Sequence, residues 1–219
     1  MGTAEFDSNA SGIIIRSNII VYGDAASVEI AGRMREEIEN MWNAPACRVQ
    51  LAGKTYAVTF AISAECIPSI SPETVNRNLD PRNNFFRVEE HAHGNISFVD
   101  GIGSNSGYFQ LDNLYPGSTT AAHEYGHTIG LDHPRILDVR GKGVPGIMYP
   151  RGTLVDAQFQ YDPSKPAGVT GGTMHPMHRK VTCEDIAMLG LGRLLRRAKT
   201  AIIGEFTNVY HWRHEQAPS

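Results

Sequence analysis

The sequence predicts an α+β fold. Three patterns carry that expectation: short runs with apolar residues at period two, one amphipathic stretch at period 3.6, and a later helical stretch with histidines four residues apart. With 219 residues, the chain is long enough for one sizeable core. Hydrophobic residues make up 41% and charged residues 20%, the balance of an ordinary globular protein. The net charge of -3 offers no basic excess for nucleic acid and no acidic block of the kind that stays disordered. No apolar run approaches the roughly 20 residues that cross a bilayer. A monomer is expected.

The first eleven residues, MGTAEFDSNAS, lack the basic segment and apolar stretch of a signal peptide. They read as a disordered N-terminus, either a cloning scar or the cut edge of a longer protein. Residues 12–22, GIIIRSNIIVY, read as the first strand. Asp24 or Ser27 caps a helix that runs to about Trp42, with Val28, Ala31, Met34, Ile38 and Met41 on one face. Residues 48–51 and 55–62 form a second strand region broken at Gly53, and Tyr56, Val58, Phe60 and Ile62 alternate within it. Residues 65–84 are mostly loop, with one helical turn started by Ser71 and Pro72. Strands follow at 85–90, 96–99 and 108–111, with a turn at 93–95.

Ser118 is the expected cap of the histidine-bearing helix. The Gly- and Pro-rich segment 134–181 is unusually long for a loop without a functional or metal-held role. Thr182 caps a last helix, with Asp185 completing an approximate capping box. Ile186, Leu189, Leu194 and Ala198 form its apolar side, and Arg196, Arg197 and Lys199 suit the dipole at its end. Residues 202–219 have no clear assignment. The cysteines, Cys47, Cys66 and Cys183, fit neither a disulfide framework nor a thiolate zinc site. A Cys47–Cys66 bridge and three buried thiols are the two readings.

The chemistry is concentrated in residues 123–133, HEYGHTIGLDH. On a helix, His123 and His127 project from one face, one turn apart, and both imidazoles reach a single metal ion. Glu124 falls to one side of that ion, placed to take a proton from water there. On a continuing helix, His133 would lie roughly 15 Å beyond His123 and out of reach. Gly130 resolves this, because a residue with positive φ ends the helix and turns the chain back. His133 then completes a three-histidine set with one position open, the pattern of catalytic zinc. Chance occurrence of the five fixed positions is on the order of 10⁻⁴ in such a chain.

This motif, followed by Met148 in Gly146-Ile147-Met148-Tyr149-Pro150, resembles the metzincin zinc peptidases. It is most similar to the matrix metalloproteinases, and Tyr108-Phe109-Gln110-Leu111-Asp112 resembles the strand before their active-site helix. The resemblance implies a metzincin-like fold: a twisted, mostly parallel sheet of about five strands with an antiparallel edge strand, an amphipathic helix, an active-site helix, a methionine turn and a C-terminal helix. It implies one catalytic domain over 12–219, with an upper part at 12–130 and a lower part at 131–219. It also places Met148 beneath the metal as an apolar floor, with Tyr149 as site support or as a packed tyrosine.

The match departs from the family in places. Pro134 follows the third histidine as in serralysins, Pro150 stands where astacins and serralysins carry a tyrosine ligand, and Pro150-Arg151-Gly152 replaces the matrix-enzyme wall. An outlying, bacterial member is the expectation.

The function expected is zinc-dependent endopeptidase, with His123, His127 and His133 as ligands and Glu124 as general base, acting on extended polypeptide held along an edge strand within 96–111. Two alternatives stand beside it: a zinc amidase on cell-wall or other non-protein amides, and a catalytically silent metal-binding or toxin module. His175 and His178 are candidates to line the cleft, His91 and His93 to hold a second metal, and Asp100-Gly101-Ile102-Gly103 to hold calcium. The chain is expected to be secreted or extracellular after loss of a propeptide, or delivered as an effector domain of a larger carrier protein.

Overall fold

The computed structural model describes residues 1–7, 9, 11–196 and 198–215. Its centre is a mixed sheet built on β2 (Gly12–Tyr22). The strand β4 (Lys54–Cys66) runs parallel along one side of β2. The other side is shared end to end, by β1 (Gly2–Phe6) antiparallel at Ile13 to Arg16 and by β5 (Asn83–Glu89) parallel at Asn18 to Tyr22. The sheet continues through β7 (Ser106–Gln110), parallel to β5, and ends at β6 (Phe98–Val99), antiparallel to β7. At the opposite end β3 (Arg48–Leu51) forms a hairpin with β4, and β8 (Thr200–Ile203) pairs with β1. Among the described residues the sheet therefore has eight strands, of which β4, β2, β5, β7 and the antiparallel edge β6 correspond to the five expected.

The unbroken apolar run Ile19-Ile20-Val21-Tyr22 has a simple cause. Both faces of β2 are covered there. Ile19 and Val21 join the main core with Phe60, Phe86, Val88 and Phe109, whereas Ile20 and Tyr22 join a smaller cluster with Ile70, Val75 and Phe85. The main core lies under α1 (Val28–Asn43), whose buried face is Ile30, Ala31, Met34, Ile38 and Trp42. Ser27 is its N-cap, accepting from the Ile30 amide at 3.1 Å. Val28, placed on the apolar face by its spacing, lies in the first turn ahead of the contact and is 79% exposed. The short helix α2 (Pro72–Asn76) starts at Ser71 as expected and helps cover the second face.

Several expectations are corrected. Residues 2–6, expected to be disordered, form β1, because β2 has an unpaired side beyond the end of β5. The histidine-bearing helix is α3 (Thr120–Thr128), and its N-cap position is Thr119, not Ser118. The last helix is two short ones, α4 (Cys183–Met188) and α5 (Leu191–Leu194), separated by Gly190 in a left-handed conformation (φ 63). The capping box of Thr182 and Asp185 is present. Arg197 lies outside the described residues, as do Ser8, Ala10 and residues 216–219.

Residues 204–215 return across the second face of the sheet. Tyr210 stacks on Tyr22 (ring centroids 5.2 Å apart) and His214 on Tyr108 (3.8 Å). Asn105 anchors this segment, its Oδ1 accepting the amides of Thr207 and Asn208.

The disulfide joins Cys47 to Cys183, not to Cys66, which is free. It ties the end of the α1–β3 connection to the start of α4 across 136 residues of sequence. A cross-link over so long a loop strongly restricts the unfolded chain. Reduction, or the double substitution Cys47→Ser/Cys183→Ser, is expected to lower stability by about 2–4 kcal/mol. The measurement is the urea midpoint with and without reductant, and an unchanged midpoint would contradict it.

Candidate metal centre

The site begins with the way α3 is held. All nine of its residues are buried, so each face has a partner. Trp42 of α1 donates its indole N–H to Ala122 O at 3.1 Å, and Tyr125 on α3 meets Ser17 Oγ of β2 at 2.9 Å. Glu37 of α1 reaches the first turn and accepts the Ala122 amide at 3.1 Å, with the Ala121 and Thr119 amides also facing its carboxylate. An acidic side chain from a neighbouring helix thus supplies what an N-cap ordinarily supplies. Thr119 itself is in the left-handed region (φ 57), and its hydroxyl donates to Pro176 O rather than capping the helix.

The other end of α3 is a Schellman turn. The Gly130 amide bonds to His127 O and the Leu131 amide to Gly126 O, both at 3.0 Å, with Gly130 at φ 96. The helix stops one residue after Thr128, and the chain reverses to bring His133 back toward it.

The reversal also orients the ligands. Leu131 O accepts the Nδ1 proton of His127 at 2.7 Å, and Ile147 O accepts that of His123 at 2.7 Å. With Nδ1 protonated, each ring turns a bare Nε2 lone pair inward. His133 Nε2 lies 3.1 Å from both of those nitrogens. These distances are close to the roughly 3.3 Å edge that tetrahedral zinc with ligands near 2.05 Å imposes. Burial is the largest cause holding all three imidazoles below their usual pKa, so they are neutral and available as donors. Among the described residues these three histidines form the only group that could hold a metal ion.

Glu124 lines the same cavity as His123 and His133. Burial pushes its carboxyl up to about 8, against the opposing effects of the Arg179 charge, the Val99 amide of β6 and the Arg151 charge. Met148 is buried against the helix: a Cβ added at Gly126 would sit 2.3 Å from its Sδ and 3.2 Å from Trp42. Gly126 therefore lets the methionine pack between the two ligand-bearing turns, a requirement the motif spacing alone did not reveal. Tyr149 faces a second cavity of about 780 Å³ on the other side of His133, which Gly130 also lines.

The remaining candidates are not brought to the site. His175 and His178 pack with Tyr161 and Phe159 and line neither cavity that touches His133. Asp100 pairs with His211 Nε2 at 3.0 Å, and among the described residues no set of carboxylates gathers around it to hold calcium. His93 packs at a tilt against His214, whose Nδ1 accepts the His93 amide, so His91 and His93 belong to an aromatic group at the sheet edge.

Neither the family models nor the curated proteins include a match to the chain. Among solved structures it is similar to archaemetzincin from Methanopyrus kandleri, at 12% identity, covering 81% of this chain and 96% of that one, with a TM-score of 0.40. At that level of similarity no activity carries over, and the chemistry has to be read from the residues.

Two glycine substitutions separate the roles of α3 and α1. Gly126→Ala is expected to cost about 1–3 kcal/mol through overpacking against Met148. Gly32→Ala in α1, where an added Cβ meets nothing within 4 Å, is expected to stabilise by about 0.5–1 kcal/mol. Chemical denaturation of both variants checks the opposite signs.

Proposed function

We propose that the chain is a zinc-dependent endopeptidase acting on extended polypeptide, with β1 and residues 12–219 in one catalytic domain. The observation that carries this reading is the convergence of three imidazole nitrogens, with the buried Glu124 carboxyl lining the same cavity as two of those rings, His123 and His133. When bound, zinc supplies a Lewis acid that polarises a scissile carbonyl and brings the pKa of water to roughly 7.

The residues of the chain supply the rest. His123, His127 and His133 would hold the metal through Nε2, and the carbonyls of Ile147 and Leu131 fix the first two rings in the tautomer that leaves Nε2 free. Glu124 lines the cavity beside His123 and His133, placed to take the proton of the attacking water and return it to the leaving nitrogen. The outer side of β6 is the end of the sheet, and its Val99 amide faces Glu124. A peptide added along that edge would bring its carbonyl to the site by strand pairing. The Cys47–Cys183 bridge supports an oxidising compartment, in keeping with a secreted or delivered domain.

Glu124→Gln is expected to retain one zinc per chain and to lose peptide hydrolysis by roughly 10²–10⁴-fold. Metal analysis and peptide turnover on the same sample check it. A variant that cleaves as fast as the unaltered protein would remove Glu124 from the mechanism.

A further inference from the structure

The cavity beside the triad has a charged lining that the proposed proton transfer does not use. It has a volume of about 350 Å³ and lies between the start of α3 and the segment after Met148. Ile96 and Pro150 give it apolar wall, and Arg151 and Arg179 line it.

Arg179 is only 4% exposed. Its guanidinium is fixed by neutral oxygens: Nε donates to Thr119 Oγ1 at 2.9 Å, Nη1 to Tyr149 O at 3.3 Å, and Nη2 to Ser118 O at a long 3.5 Å. Three of five N–H groups are used, and two remain. Arg151 is exposed and donates to Asn113 Oδ1 at 2.8 Å. Among the described residues no carboxylate forms an ion pair with either guanidinium. Burying a cation with no carboxylate in direct contact is costly, even with Glu124 and Glu37 nearby, and a second cation on the same cavity adds to the cost. Burial lowers Arg179 to about 10, with Glu124 and Glu37 opposing and Arg151 reinforcing the shift. An arginine held rigidly by neutral oxygens, with two N–H groups unused and no direct ion pair, is arranged to receive an anion.

We propose that this cavity takes the side chain of a substrate residue flanking the scissile bond and selects glutamate or aspartate there, the carboxylate binding Arg179 and Arg151. The inference rests on the peptidase reading, because that reading places the scissile bond at His123, Glu124 and His133, which share the cavity. The apolar wall suits an aliphatic stem and the guanidiniums its charged end. An amide or apolar side chain would leave both cations unpaired, and a lysine or arginine would add a third.

The test uses zinc-loaded protein and a peptide library varied at both positions flanking the cleaved bond. Glutamate or aspartate at one flank is expected to exceed its amide counterpart by roughly tenfold or more in kcat/KM, as for sites with an otherwise unpaired buried polar group. Arg151→Gln, at an exposed position, and Arg179→Lys are each expected to reduce that ratio. Calorimetric binding of matched glutamate and glutamine peptides to the Glu124→Gln protein gives a second readout without turnover, with the glutamate peptide tighter. Cleavage with no acidic preference at either flank overturns the proposal and leaves the peptidase reading intact. So does an acidic preference that Arg151→Gln leaves unchanged. If no peptide is cleaved, the peptidase reading fails, and calorimetry decides the cavity: equal binding of the two peptides overturns it, and tighter binding of the glutamate peptide supports it.

Discussion

Everything at this site depends on α3 ending where it does. Two histidines one turn apart are common on helices, and by themselves they make a weak metal site. The third comes within reach because Gly130 turns the chain back at φ 96, a conformation that costs any other residue about 1–2 kcal/mol. The same turn presents Leu131 O to the Nδ1 proton of His127 at 2.7 Å. One backbone reversal therefore both delivers one histidine and fixes the tautomer of another. A helix that ran one turn further would lose both effects together.

The fold is organised to hold that helix still. The sheet supplies Ser17 beneath Tyr125, α1 supplies Trp42 and Glu37, and the segment carrying Met148 closes the remaining side. The Gly103 amide donates to His127 O at 2.7 Å, so the loop between β6 and β7 also anchors the end of α3. Ile147 O, one residue before Met148, orients His123. The segment long enough to look like an unstructured loop thus supplies a ligand-orienting carbonyl, the methionine that packs against Gly126 and both cavity arginines.

Legibility in the sequence followed the range of the interaction. The strands β2 and β4, the cap at Ser27, the capping box at Thr182 and the Gly130 turn are written in residues a few positions apart, and each could be read. What failed was non-local. The cap of α3 comes from Glu37, about eighty positions earlier, so Ser118 took its place in the reading. The partner of Cys47 lies 136 residues away, and the nearer Cys66 offered a false choice. Strands β1 and β8 stabilise each other across nearly the whole chain and carry no strong pattern of their own. Arg179 stood in a His- and Pro-rich stretch where histidines drew attention. Its proposed role depends on burial and on the lack, among the described residues, of a direct ion pair, and neither has a sequence signature.

In the proposed centre, His123, His127 and His133 would hold one zinc ion together, with a position left open. X-ray absorption at the zinc edge of the loaded protein tests it most directly. Three imidazole nitrogens and one light oxygen, all at about 2.0–2.1 Å, and no sulfur are expected. A sulfur shell near roughly 2.3 Å, or a shell of oxygens with fewer than three imidazoles, would contradict it.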